Sequence, residues 1–394
     1  MANTLTNLIP KVISRGLPAL RANAVTPRLC TDYSFMIGSS GNQGNTLTIP
    51  KGATQAVATV TPGPTAPANV DHTAGAATLT IDTHEDTRFH LTDQEMTQID
   101  EDDNYIPLQL EMAFKAMGDN FDSALLALYK DIYGAAGTPG TTPFASNLSP
   151  WTGSSGGRKI LQDQLSPVGP WGAVMDPAAE GNLLANSTLL GANTRGSAEQ
   201  VNSGKIGSAL GVDWNANQNV PTHTCGTLTN GTGMLAKVND ASYTVGESTV
   251  DIDDSSLTLS VAVGDIFTVA GDTQQYVVTA AATAGSNAIA GMAFKPTSQV
   301  AWADNAVVTF IGGATSNPDH VANLVMHPGA FGYAFGTPPA SRVNSSAQRI
   351  VRDPMTGIPL RVRVVEQHYQ TTWYVDYIYG VATIREELAV RLVG

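Results

Sequence analysis

Between Pro221 and Asn317 the chain changes style, and no single continuous fold absorbs the change. Upstream, GKIGSALGVD (Gly204–Asp213) reads as a Gly-punctuated strand of a packed helix-and-strand region that runs on to Pro221. From Thr222 to Ser316 there is no arginine, only Lys237 and Lys295 as cations, and eight acidic residues. Ser256–Val263, Asp265–Val269, Gln275–Thr279 and Ala306–Ile311 read there as strands, separated by turns such as Gly264-Asp265 and Gly271-Asp272. Short strands with frequent turns predict a small sandwich or barrel. HVANLVMHPGAFGYAF (His320–Phe335) then resumes the earlier style, as an apolar strand followed by a helix start in GAFGYAF. The pattern predicts one compact β domain threaded into a loop of another.

The flanking region carries the strongest helix signal. Leu110, Phe114, Met117, Phe121, Leu125, Leu128 and Ile132 follow one another at spacings of three or four, which places them on one packing face of a helix over Tyr105–Tyr133. About 28 residues at 1.5 Å each predict a rod of roughly 40 Å. Asp100, Glu101, Asp102 and Asp103 gather at its start, where the helix dipole favours negative charge. Gly134 and Gly137 are the expected stop.

Ahead of this helix, Thr46–Ile49 and Gln55–Val60 alternate as strand, and Ala77–Ile81 with Arg88–Leu91 returns. The product is a long β-hairpin with a Pro/Gly tip, marginally stable by itself in water. Residues 1–43 form an arm with apolar Leu5, Leu8, Ile9, Val12 and Ile13. Arm and hairpin are both expected to bury their apolar positions on neighbouring subunits.

After the rod, Arg158–Leu165 reads as helix, Trp171–Pro177 as strand and Ala178–Leu190 as helix, with Asp176 as N-cap before Pro177. Leu360–Glu366 and Thr372–Gly380 alternate apolar and polar residues, as in a sheet with one buried face. The fold class expected from these elements is α+β.

Composition narrows the function classes. A formal net charge of −13 over 394 residues repels nucleic acid rather than gripping it. Cys30 and Cys225 are too far apart in sequence to suggest a disulfide framework and read as reduced, small apolar side chains. The N-terminus lacks the apolar core and cleavage site of a signal peptide, and no stretch approaches the ~18 apolar residues of a membrane span. The expectation is synthesis in the cytosol, where the sequons at Asn147, Asn186, Asn230 and Asn344 carry no meaning.

No catalytic set stands out. Gly153-Ser154-Ser155-Gly156-Gly157 matches G-x-S-x-G, but a Gly/Ser-rich loop precedes it instead of a buried strand. Lys205 follows Gly204, but Glu199 stands where a phosphate loop needs glycine. His72, His84, His90, His223, His320, His327 and His368 show no HExxH or paired metal spacing. Asp100–Asp103 lacks the alternation and glycine of a calcium loop, and Asp251, Asp253 and Asp254 read as strand-edge charges. The expectation is a protein without catalytic, cofactor or metal sites.

In this order the parts resemble the major capsid proteins of tailed bacteriophages, the Hong Kong 97 fold. The phrases that carry the resemblance are FHLTDQEMTQID (Phe89–Asp100), GKIGSALGVDWNANQNVP (Gly204–Pro221), NLVMHPGAFGYAF (Asn323–Phe335), DPMTGIPLRV (Asp353–Val362) and YIYGVATIREELAVRL (Tyr377–Leu392). The block from 222 to 316 is similar to the immunoglobulin-like insertion domain of the short-tailed-phage coat family, with GDIFTVAG (Gly264–Gly271) and Met292–Phe310 as its nearest echoes.

The resemblance implies an N-terminal arm at 1–43, an extended loop at 44–95 and a spine-helix region of a peripheral domain at 96–137. It further implies an axial domain split between 138–221 and 317–345 around the inserted domain 222–316, and a peripheral β layer at 346–394. The implied function is self-assembly, as pentamers and hexamers, into the icosahedral shell around a double-stranded DNA genome. A scaffolding protein, a portal and a decoration protein are the implied partners, with weak contact to packaged DNA and none to membrane. The implied location is the virion, assembled in the host bacterial cytoplasm. Lys51 is the only lysine of the implied loop and no partner asparagine is evident, so cross-linking is not carried over. Two rival expectations stand beside it: an encapsulin-like compartment shell, and a β-rich virion tail or surface binding protein. The block argues against the first, and the long helix is unexplained by the second.

Overall fold

In the computed structural model, the described residues are 18, 20, 24–37, 45–52, 57, 59–60, 62, 74–95, 105–190, 203–229, 235–254, 257–313, 317–336, 347–353 and 357–394. Most of the arm, the hairpin tip and Asp100–Asp103 therefore fall outside them. The elements are mixed helix and strand, an α+β arrangement.

The long helix spans Tyr105–Leu126 and tightens into a 3₁₀ turn over Ala127–Asp131, after which Ile132 is extended. It ends earlier than expected, and the glycines do not stop it. The guanidinium of Arg391, donating to the carbonyls of Ile132 and Lys130, supplies partners that a glycine cap would otherwise provide. Gly134 and Gly137 serve close packing instead. A Cβ on Gly137, held at φ 114°, would lie 2.3 Å from the carbonyl oxygen of Val393.

The helix lies on a six-stranded sheet. Its strands run in the order Thr31–Asp32, Phe331–Gly336, Gln370–Thr383, Pro359–Gln367 and Ala347–Arg352, with Thr83–Thr92 paired along Gln370–Tyr379. Phe331–Gly336 corrects the helix start expected in GAFGYAF. Its aromatic residues favour strand, and a short apolar run cannot reveal its period in isolation. Arg88–Leu91 is likewise part of this sheet and not of the hairpin's return.

The hairpin itself pairs Thr46–Lys51 with Gly75–Thr80, Thr46 opposite Thr80 and Lys51 opposite Gly75. Leu47, Ile49, Leu79 and Ile81 are buried against Ala334 and Ile384 of the same chain. The base of the hairpin thus needs no neighbour to bury its apolar face, contrary to the expectation. The docking is close because Gly380 has no side chain: a Cβ there would sit 2.0 Å from the carbonyl oxygen of Thr80. Gly380→Ala is expected to cost about 1–3 kcal/mol as an overpacked contact. It should speed proteolysis within 46–80, and unchanged cleavage would reject this docking role.

A second, seven-stranded sheet runs Ala135–Gly137, Ala389–Val393, His320–Met326, Trp171–Met175, Val212–Ala216 and Gly207–Ala209, with Thr222–His223 paired to His320–Val321. Trp171–Met175 and Ala389–Val393 are buried along their whole length, as central strands with both faces covered. The last strand therefore leaves the sheet of its neighbours and joins another one. GKIGSALGVD is a two-strand hairpin turned at Leu210 and Gly211, both at positive φ (56° and 82°), where one strand was expected.

Between His223 and His320 the chain builds a β block with its own core, centred on Phe267, Tyr276, Phe294, Trp302 and Phe310. Three strands form one sheet (Leu228–Thr229, Thr258–Val261, Ala282–Thr283). Six form the other, including Thr249–Asp253 and Ala288–Lys295, which sequence reading passed over. The bulge between Val250 and Ile252 and the positive φ of Gly291 blur their alternation. The chain departs and returns through paired residues, His223 opposite His320.

Candidate functional site

Of the expected packing face, Leu110, Phe114, Met117, Phe121 and Leu125 join the core over the six-stranded sheet. Leu128 is partly buried between that core and the next, and Ile132 belongs to the core under the seven-stranded sheet. Phe121 is the hub. Its ring centroid lies 4.8 Å from Phe335, 5.2 Å from Tyr379, 5.4 Å from Tyr333 and 6.3 Å from Tyr377. The next residue, Asp122, is fully buried and went unnoticed in the sequence. It accepts from the Thr26 amide at 2.8 Å and from the Asn217 side-chain amide, tying the N-terminal segment and the second sheet to the helix. Burial raises its pKa, and these hydrogen bonds oppose the shift.

The residues weighed for chemistry are scattered. Ser154 and Ser155 sit in turns between the short helices Ser149–Thr152 and Gly157–Asp163, with no strand delivering them. The groove formed by Gly137, Thr138, Phe144, Ser154, Ser155 and Val393 has no histidine or carboxylate among its described lining residues. Lys205 is exposed and precedes a strand hairpin, not a helix N-terminus. His84 bonds Asp376 at 2.9 Å, beside the buried Arg361–Asp376 pair. The Nδ1 of His327 accepts from the Gly329 amide in a turn, and His72 lies outside the described residues.

His223 and His320 are different. They meet where the long helix, the seven-stranded sheet and the β block join. The His223 Nδ1 is 2.9 Å from the Tyr129 hydroxyl, and its Nε2 is 2.9 Å from the Asp265 carboxylate. An ionised carboxylate only accepts, so in the neutral imidazole Nε2 carries the proton and Nδ1 accepts from Tyr129. Asp265 also accepts from the amides of Ala262 (2.8 Å) and Gly226 (3.1 Å). Cys225 donates to the Pro318 carbonyl at 3.3 Å, and its Sγ is 3.5 Å from the His320 Nδ1.

Burial pushes the His320 pKa down to about 4, and it raises the Cys225 thiol well above its usual range, with Asp265 and Asp319 adding to the effect. Arg391, fully buried behind them, donates to the Gly264 carbonyl at 2.7 Å and stays cationic although burial lowers its pKa to about 10. The donor atoms of His223, Cys225 and Asp265 all lie within 4.8 Å of one another. Sequence spacing hid the set, because the fold brings Asp265 back beside residues some forty positions earlier.

Among the described residues no helix is long and apolar enough to cross a membrane. No family model matches the chain, and no curated protein does either. Among solved structures, a chain from Mycobacterium phage Che8 is similar with a TM-score of 0.50 at 13% identity, over 94% of this chain and 91% of that one. A chain of the bacteriophage PhiM1 mature capsid gives 0.45 at 12% identity over 89% and 83%. A virus-like particle from Pyrococcus furiosus gives 0.42 at 10% over 97% and 98%. The first of these shows a fold shared over nearly the whole length.

Proposed function

We propose that the chain is the major capsid protein of a tailed bacteriophage, which self-assembles into the icosahedral shell around the double-stranded DNA genome. The observation that carries this reading is the fold shared, over 94% of the chain, with the chain from Mycobacterium phage Che8. In the Hong Kong 97 scheme the hairpin Thr46–Thr80 is the base of the extended loop. Tyr105–Asp131 is the spine helix, the six-stranded sheet the peripheral β layer and the seven-stranded sheet the axial domain. The β block, with its own core and paired ends, is the inserted immunoglobulin-like domain.

Surface features support an assembly role. Leu108 and Met112 are half exposed one helical turn apart, and Phe35 is 71% exposed. Many modest contacts of this kind sum through multivalency in a closed shell. Homo-oligomers, a scaffolding protein, a portal and a decoration protein are the partners in this reading. The net charge of −13 suits a wall that contains DNA without adhering to it. The virion is then the location and the host cytoplasm the place of assembly.

Expression together with the proteins encoded beside it should give closed, uniform particles by electron microscopy. Soluble monomer under every assembly condition would sink the reading. Particles that hold a protein cargo instead of DNA in infected cells would favour the compartment-shell alternative.

A further inference from the structure

The cluster at the junction of helix, sheet and block has no part in the proposed shell function, yet its chemistry is specific. His223 and Asp265 are each 1% exposed, and Cys225 is partly exposed, leaving a route from solvent. The ring of His320 packs 5.2 Å from that of His223 and is 2% exposed, with its Nδ1 3.5 Å from the Cys225 Sγ. A thiol, an imidazole and a carboxylate converging at one junction form a borderline-soft donor set, suited to zinc or cobalt rather than calcium or magnesium.

We propose that this junction is a transition-metal site, with His223, Cys225 and Asp265 as ligands and the fourth position left to water, as in three-ligand zinc sites. Ligands of a tetrahedral zinc lie roughly 3–4 Å apart, so these three donors, all within 4.8 Å of one another, need to close by about 1–2 Å. The outer contacts are already in place. The Ala262 amide holds one Asp265 oxygen, the Gly226 amide reaches both, and the second oxygen is aimed at His223. Tyr129 holds the far nitrogen of His223. Such hydrogen bonds orient metal ligands in general.

Binding exchanges the His223–Asp265 hydrogen bond for two metal bonds. The imidazole proton moves from Nε2 to Nδ1 and is donated in a hydrogen bond to the Tyr129 oxygen, whose own hydroxyl hydrogen rotates away from the ring. The Cys225 thiol proton leaves to solvent, so the thiolate and the Asp265 carboxylate neutralise the dication. The ion would pin Cys225 and Asp265 of the block to His223 on the edge of the seven-stranded sheet. It would therefore stabilise the folded chain over the unfolded one by mass action.

The test uses the full chain, stripped with chelator and desalted, then given one equivalent of cobalt(II) or zinc(II). The expected results are a thiolate-to-cobalt charge-transfer band, tetrahedral ligand-field absorption, and one zinc retained per chain after desalting. Cys225→Ser should abolish the charge-transfer band and weaken zinc retention at least about tenfold, while Cys30→Ser, at a site elsewhere in the core, should leave both intact. Absence of that band in the folded wild-type chain would overturn the proposal even if the variants fail to fold. A band that survives Cys225→Ser would overturn it as well.

Discussion

Arg391→Met is expected to lower the stability of the chain by about 3–5 kcal/mol, because it strips several buried carbonyls of their charged donor. The guanidinium sits on the last strand but holds other parts of the chain together. It donates to the Ile132 carbonyl at 2.6 and 2.9 Å and to the Gly264 carbonyl at 2.7 Å, and it lies 5.2 Å from the Tyr129 ring. Methionine fills much of the volume and relieves the desolvated charge, yet it leaves the carbonyls buried without donors, each costing about 1–3 kcal/mol. Arg391→Lys keeps the charge but loses the planar fork that reaches both carbonyls at once. It is expected to recover only part of the loss. Urea denaturation of the unassembled chain reads both effects, and a methionine variant within about 1 kcal/mol of wild type would contradict the capping role.

Phe121→Ala is expected to cost a further 3–5 kcal/mol or so, as large-to-alanine changes at fully buried aromatic sites do. Four aromatic rings from two sheet strands surround this side chain and cannot all close the gap. Phe121→Leu keeps most of the volume and should cost less than about 1.5 kcal/mol. The pair separates packing from any special role of the ring. If both variants denature alike, the cavity account is wrong. In the capsid reading, the alanine variant should also yield fewer particles at elevated temperature, because its helix is no longer firmly seated on the sheet.

What was legible in the sequence was local. The stripe from Leu110 to Leu125 announced a helix because its period is written in neighbouring residues, and Asp176 before Pro177 announced a cap that the structure contains, with the carboxylate accepting from the Ala178 and Ala179 amides. The alternation in Leu360–Glu366 and Thr372–Gly380 likewise carried its own strand signal. Where a segment's state depends on its partner, the reading failed. Phe331–Gly336 is a strand because Gln370–Thr383 offers it a ladder, and Arg88–Leu91 pairs with that same strand instead of the hairpin.

The sequence by itself determined an α+β chain with one long amphipathic helix and a composition break around a β-rich block. Those properties follow from periodicity, capping and turn chemistry within a few residues. Only the tertiary structure decided that Ala389–Val393 joins the second sheet and carries Arg391 under the helix end. It also decided that His223, Cys225 and Asp265 meet at one junction, with His320 beside them. Those contacts join residues from tens to hundreds of positions apart, and burial of the core selects them without leaving a local trace in the sequence.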